Sequence, residues 1–225
     1  MLILEMHVNH LSKKYQLEQM IIKVCGIKTE ENILFLSKSS IDMVGLNFYQ
    51  PSIRYVPEEF DPEFFDILPS HIKRVGVFVN ERHDNILRLS KKFKLDYAQL
   101  HGDENSEFCK KLSEWIPIIK VFRIDDGFEF SSINAFAIAT YFLFDTQTKN
   151  YGGSGKKFDW NKLKDYRGKI PFLLSGGIGP DSQEQLVKIN HSQFVGIDIN
   201  SKFESEPGIK DKSLILPFLE SMRIS

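Results

Sequence analysis

Asp145 closes an apolar run, YFLFDT (141–146), and is followed by the glycines of YGGSGKKFDW (151–160). A carboxylate at the tip of a strand, with a glycine-rich loop after it, is how α/β enzymes place an acid or base at a closing pocket. Cys25 ends a second apolar run, IIKVCGI (21–27). A thiol between a strand and a helix start can fall below its ordinary value of about 8.5 and serve as a general base or nucleophile. The two residues would form an acid–base couple that moves a proton onto one atom and off its neighbour. Each also has a plainer reading: Cys25 as a small core residue, Asp145 as a helix cap or cation ligand. No second carboxylate on the nearby rim completes a metal set.

The elements that must carry these residues show in the pattern of apolar runs. Short runs occur at 21–27, 42–48, 74–79, 96–101, 118–124, 141–146, 171–177 and 194–199. Helix-like segments lie between them at 30–39, 58–68, 83–93, 105–115, 160–166 and 180–190, with a last one at 210–222. Thr29 can cap the first of these, and 128–139 is a weaker helix because Phe and Ser interrupt it. Strands that alternate with helices at this spacing are parallel and joined by right-handed crossovers. Eight such units predict an α/β chain folded as a (β/α)₈ TIM barrel, a single domain over 21–225; an open doubly wound sheet is the alternative. Residues 1–20 show no clear period and read as a short N-terminal extension, with Met20 standing where a start would be expected.

In such a barrel the positions just after each strand share one rim. They are Cys25, Arg54, Asn80, His101, Arg123, Asp145, Gly176 and Gly177, and Asp198 to Ser201. The loops after the seventh and eighth strands commonly hold phosphate at backbone N–H groups and a helix start. SGGIGPDS (175–182) offers Gly176 and Gly177 and a helix start at Pro180-Asp181, and Asn200 and Ser201 follow the eighth strand. With Gly153 these form the expected phosphate-binding set. GGSGKK (152–157) is not a P-loop, because Asn150 and Lys157 occupy the defining glycine and hydroxyl positions. His101 reads as a hydrogen-bonded spacer and Cys109 as a structural helix residue.

Bulk properties narrow the function classes. The chain has 225 residues and a formal net charge of −1, so nucleic-acid binding has no electrostatic footprint. The two cysteines sit in no CxxC or Cys/His ligand spacing, which suggests a reducing cytoplasm and no metal site. No run reaches the roughly 18 apolar residues needed to span a bilayer, and the N-terminus lacks a signal-peptide pattern. The Asn190 sequon is then without consequence. A small phosphorylated molecule is the expected partner, with no cofactor, and the chain is expected as a monomer or homodimer.

Several motifs resemble those of the phosphoribosylanthranilate isomerase family: KVCGIK (23–28), VGLNFYQPSIRYV (44–56), VGVFVN (75–80), QLHGDE (99–104), FDT (144–146), YGGSGKKFDW (151–160), LSGGI (174–178) and IDINSKFESEPGIKD (197–211). They stand in the family's order and cover most of the chain. The resemblance implies an Amadori rearrangement of N-(5-phosphoribosyl)anthranilate in tryptophan biosynthesis. It makes Asp145 the general acid on the furanose oxygen and Cys25 the general base at C2. It assigns Arg54 to the anthranilate carboxylate and Asp198 to the sugar, and it folds the 147–158 loop over the substrate. NSKFE (200–204) departs from the family's usual SSGVE, with Lys202 in place of a glycine. Related sugar-phosphate barrels, such as ribulose-phosphate epimerases, are expected to use metal-binding or paired-aspartate designs, which Cys25 does not fit. A barrel that binds phosphate without turnover is the remaining alternative.

Overall fold

The structure, a computed structural model, describes residues 19–146 and 158–224. Its strands are β1 (Ile21–Cys25), β2 (Met43–Asn47), β3 (Lys73–Phe78), β4 (Tyr97–Leu100), β5 (Ile118–Ile124), β6 (Tyr141–Thr146), β7 (Phe172–Leu174) and β8 (Phe194–Ile199). Each pairs in parallel with the next, and β8 returns to β1, so the sheet is a closed barrel and the open-sheet alternative falls. The expected extension lies outside the described residues except for Gln19 and Met20.

Alternation along each strand divides the molecule into two cores. Met43, Val75, Ile119, Val121, Leu143 and Leu173 fill the barrel interior. The residues between them face outward and pack under the crossovers, as Phe142 and Phe144 do on β6. That outer layer is aromatic around β6: Phe144 lies 4.8 Å from Phe172 and 5.3 Å from both Phe130 and Tyr166, centroid to centroid. The same alternation puts Lys23 and Cys25 on the interior face of β1, and Leu143 and Asp145 on that of β6.

The crossovers include helices α1 (Glu30–Leu36), α2 (His83–Phe93), α3 (Ser106–Ser113), α4 (Gln183–Val187) and α5 (Lys212–Ile224). Thr29 caps α1 as expected, accepting the Asn32 N–H at 3.3 Å. Three segments expected as helices are instead 3₁₀ turns, at Pro62–Ile67, Phe130–Phe136 and Trp160–Asp165. Two of them start on an aspartate, Asp61 or Asp159, whose carboxylate accepts the N–H two residues on. Such local bonds compete with a longer helix. At the far end of the chain Arg223 donates to the Met20 carbonyl at 3.0 Å and to Asp42 at 2.7 Å. Asp42 also accepts the Ile22 N–H at 2.8 Å, so the last helix is tied to the first strand.

Phe144→Ala should lower unfolding free energy by about 3–5 kcal/mol, since it empties the centre of the aromatic layer. Urea unfolding measures this, and a loss below about 1 kcal/mol would show that the layer carries little of the fold's stability.

Candidate active site

A pocket of about 320 Å³ opens on the rim at the C-terminal ends of the strands. Cys25, Arg54, His101, Asp145, Gly176, Gly177, Asp198, Asn200 and Ser201 all line it. Eight of the nine expected site residues are therefore brought together; Gly153 and the rest of the 147–157 loop lie outside the described residues. Asn80 and Arg123 share the rim but do not line the pocket. Asn80 adopts a left-handed backbone (φ 51°) and accepts the Asp103 N–H at 2.7 Å, while Arg123 turns to pair with the Asp103 carboxylate.

Cys25 sits at the end of β1 with 6% of its surface exposed. Two residues below it on the same face, Lys23 is fully buried and pairs with Asp198 of β8 at 2.8 Å. The register sets Lys23 directly opposite Asp198 across the β1–β8 seam. A Cβ on Gly45 of β2 would stand 2.7 Å from the Cys25 sulfur and 3.1 Å from Lys23 Nζ, so both groups press on that glycine. The thiol corrects an expectation: burial pushes it above the ordinary cysteine value, and Lys23 and Lys210 only partly offset that, with Asp198 adding to the rise. Burial pulls the Lys23 ammonium down, but Asp198 and Cys25 outweigh it and leave it above its usual value.

Asp145 is the penultimate residue of β6, and its Oδ1 accepts the Thr146 N–H at 2.8 Å. The chain re-enters the described structure at Phe158, whose N–H reaches Thr146 Oγ1 at 3.3 Å. On the other side His101 Nε2 lies 3.5 Å from Asp145 Oδ2, and Gln99 Nε2 lies 3.3 Å from His101 Nδ1. Gln99 is 1% exposed and lines the pocket, and its Oε1 has no hydrogen-bond partner among the described residues. His101, read from sequence as a spacer, thus touches Asp145. Gly176, with φ 84°, presses on the same group: a Cβ there would fall 2.3 Å from Thr146 Oγ1 and 2.8 Å from Asp145 Oδ1.

Arg54 reaches the pocket from the loop after β2, with its Nε and Nη2 both donating to Glu204, at 2.9 and 2.6 Å. Asn200 Oδ1 accepts from Lys210 Nζ at 2.7 Å. The helix start expected at Pro180-Asp181 comes later, at Gln183, because the Ser182 hydroxyl first accepts the Gly179 N–H at 2.9 Å. Lys202 lies exposed in a 3₁₀ turn (Ser201–Phe203) without a left-handed backbone, so the local conformation accepts a side chain where glycine was expected. Among the described residues no three His, Cys, Asp or Glu side chains gather as a metal site.

A thiol and a carboxylate line one pocket on the rim of a (β/α)₈ barrel, with glycine turns and an arginine beside them, an arrangement that suits an enzyme moving protons on a small anionic substrate. A family model described as N-(5'phosphoribosyl)anthranilate (PRA) isomerase matches residues 22–221. The N-(5'-phosphoribosyl)anthranilate isomerase of Phocaeicola vulgatus is 44% identical over 206 residues, covering 91% of this chain and 98% of its own. The phosphoribosyl anthranilate isomerase of Thermotoga maritima superposes with a TM-score of 0.81 at 33% identity, covering 92% of this chain and all of its own. A phosphoribosyl anthranilate isomerase solved with reduced 1-(o-carboxyphenylamino)-1-deoxyribulose 5-phosphate superposes at 0.78 and 30% identity, with the same coverage. The chain belongs to the N-(5'-phosphoribosyl)anthranilate isomerase family. Its reaction is the isomerisation of that compound to 1-(2-carboxyphenylamino)-1-deoxy-D-ribulose 5-phosphate in tryptophan biosynthesis.

Lys23→Met should move the Cys25 thiol further up, because it removes a cation that pulls the thiol down. Inactivation by iodoacetamide, followed against pH with the adduct located by mass spectrometry, should then need a higher pH than in the parent protein. Cys109, fully buried with its thiol pushed up to about 11, should stay unmodified. The same variant leaves Asp198 unpaired and should cost about 3–5 kcal/mol of stability. An unchanged or lower alkylation profile would show that Lys23 does not act on the thiol.

Proposed function

We propose that Asp145 and Cys25 divide the proton transfers of this isomerisation between them. The observation that carries this reading is that residues far apart in sequence, on β6 and β1, line one pocket. Asp145 gives a proton to the furanose ring oxygen as the bond from that oxygen to C1 breaks. The anilino nitrogen supplies the electron pair, and an iminium forms between it and C1. Cys25, as thiolate, then takes the proton from C2, and the electrons of that C–H bond form the C1–C2 double bond of an enolamine. Proton transfer to C1, with loss of the C2 hydroxyl proton, gives the ketone.

A thiol raised by burial is scarce as thiolate at neutral pH but more basic when formed. The cationic iminium beside it makes the C2 proton more acidic, and Lys23 opposes the burial penalty from below. Arg54 meets the anthranilate carboxylate, for which a planar guanidinium fork is well shaped. Asp198, held by Lys23, stands at the pocket floor facing the sugar. Gly176, Gly177, Asn200 and Ser201 supply the phosphate end, together with Gly153 as the sequence suggests.

Among the described residues no helix is long and apolar enough to cross a membrane, and we place the protein in the cytoplasm with the pathway it serves. The Thermotoga maritima relative is described as dimeric, which gives a homodimer of this chain a precedent.

Loss of fluorescence from freshly made N-(5'-phosphoribosyl)anthranilate reports turnover. Cys25→Ser and Asp145→Asn should each lower kcat by about a hundredfold or more, with circular dichroism unchanged. Activity that survives both substitutions would sink this division of labour.

A further inference from the structure

Glu204 and Lys210 do not line the pocket but stand directly behind two residues that do, Arg54 and Asn200. They come from a small hairpin after β8, formed by β9 (Glu204–Glu206) and β10 (Ile209–Lys210). We propose that Glu204 and Lys210 are positioning residues that clamp one edge of the Arg54 guanidinium and leave its outer fork facing the pocket as a carboxylate receptor. The proposal rests on the reading that Arg54 binds the aryl carboxylate.

The clamp is bidentate. Glu204 Oε1 accepts from Arg54 Nε at 2.9 Å and Oε2 accepts from Nη2 at 2.6 Å, with side-chain exposures of only 11% for Arg54 and 4% for Glu204. These contacts use the side edge of the guanidinium. The Nη1 group and the second N–H of Nη2 form the end edge, which has the same two-donor spacing and suits a second carboxylate. The stem is held as well: a Cβ on Gly26 would lie 2.5 Å from Arg54 Cδ, so the arginine lies flat against the backbone that follows Cys25. The fork is thereby fixed relative to the thiol.

Charge accounts for the third member. Arg54 and Glu204 alone sum to zero and would attract an incoming carboxylate weakly. Lys210, whose side chain is fully buried, donates to Glu204 Oε1 at 2.6 Å and to Asn200 Oδ1 at 2.7 Å. Burial pulls the Lys210 ammonium below the usual lysine value, with Glu204 opposing the fall; with Lys210 charged the cluster carries +1, and Glu204 is shared between two cations. Despite its burial, the Glu204 carboxyl is held below its usual range by Arg54 and Lys210. The same lysine reaches Asn200, so the carboxylate end and the expected phosphate end of the pocket share one buried ammonium.

A positioning role and a simple charge role predict opposite signs. Glu204→Gln preserves size and raises the cluster charge to +2, so charge alone would tighten binding of a carboxylate; loss of the clamp would weaken it. The test is calorimetric binding of two probes to the full chain: reduced 1-(o-carboxyphenylamino)-1-deoxyribulose 5-phosphate and its phenylamino counterpart lacking the carboxylate. Glu204→Gln and Lys210→Met should each cut the preference for the carboxylate probe by about tenfold and raise KM; Glu204→Gln should leave kcat within about threefold, whereas Lys210→Met also removes a cation that pulls the Cys25 thiol down and should lower kcat. Glu204→Asp should restore part of the preference. Arg54→Met is the control for the underlying reading and should abolish the preference. If Arg54→Met weakens both probes equally, the assignment of Arg54 to the carboxylate is wrong. If Arg54→Met removes the preference while Glu204→Gln keeps or increases it, Arg54 reads the carboxylate without the clamp and the proposal fails. Thermal melts taken alongside identify any variant that unfolds; Glu204→Asp then decides, since an undiminished preference there overturns the clamp.

Discussion

The barrel closes where its last strand meets its first, and at that seam Lys23 and Asp198 face each other inside the ring at 2.8 Å. Removing two charges from water costs several kcal/mol for each, so such a pair persists only with close geometry and further partners. The register supplies the geometry, since the two residues are directly opposed. Gly45 on the neighbouring strand leaves space for the lysine head and for the Cys25 sulfur above it. Strand closure, a buried ion pair and the environment of the thiol are consequences of one contact.

Around that seam the pocket is arranged in pairs of polar and ionisable groups. Cys25 stands over a lysine and Asp145 beside a histidine, while Arg54 is shared with a glutamate that a second lysine holds. Each functional side chain has a buried or half-buried partner that limits its rotamers. This supporting layer matters for a reaction in which two proton transfers act on atoms either side of one carbon. An acid or base displaced by about 1 Å can cost about a hundredfold in rate.

The barrel was legible in the sequence because fully buried parallel strands read as continuous apolar runs, and β5, β6 and β8 have the bounds that their runs predict. Two of the 3₁₀ crossovers, at Asp61 and Asp159, were not legible, because a local Asp–backbone bond and a helix start share the same residues. Among the rim positions, topology identified Cys25, Asp145 and Arg54 but also nominated Asn80 and Arg123, which turn to Asp103. A position after a strand fixes the rim and leaves the side-chain direction open. Lys23 could have been found from the KVC alternation, which stacks it under Cys25. The Glu204 partner of Arg54 lies 150 residues away, and only the closed ring brings the two together. The thiol's shift was not legible: a strand–helix junction can lower a thiol, but burial, which pushes this one up, depends on the closed ring.

The central claim is that the thiol and the carboxylate act on the two ring atoms that flank C1, C2 and the ring oxygen, of one substrate held by its two anionic ends. A crystal structure of this protein with reduced 1-(o-carboxyphenylamino)-1-deoxyribulose 5-phosphate tests it most directly. The account predicts the Cys25 sulfur in van der Waals contact with C2, and the Asp145 carboxylate hydrogen-bonded to the hydroxyl that was the ring oxygen. It places the aryl carboxylate on the outer fork of Arg54 and the phosphate against Gly176, Gly177 and Ser201. A ligand bound the other way round, with phosphate at Arg54 and C2 out of reach of the sulfur, would contradict it.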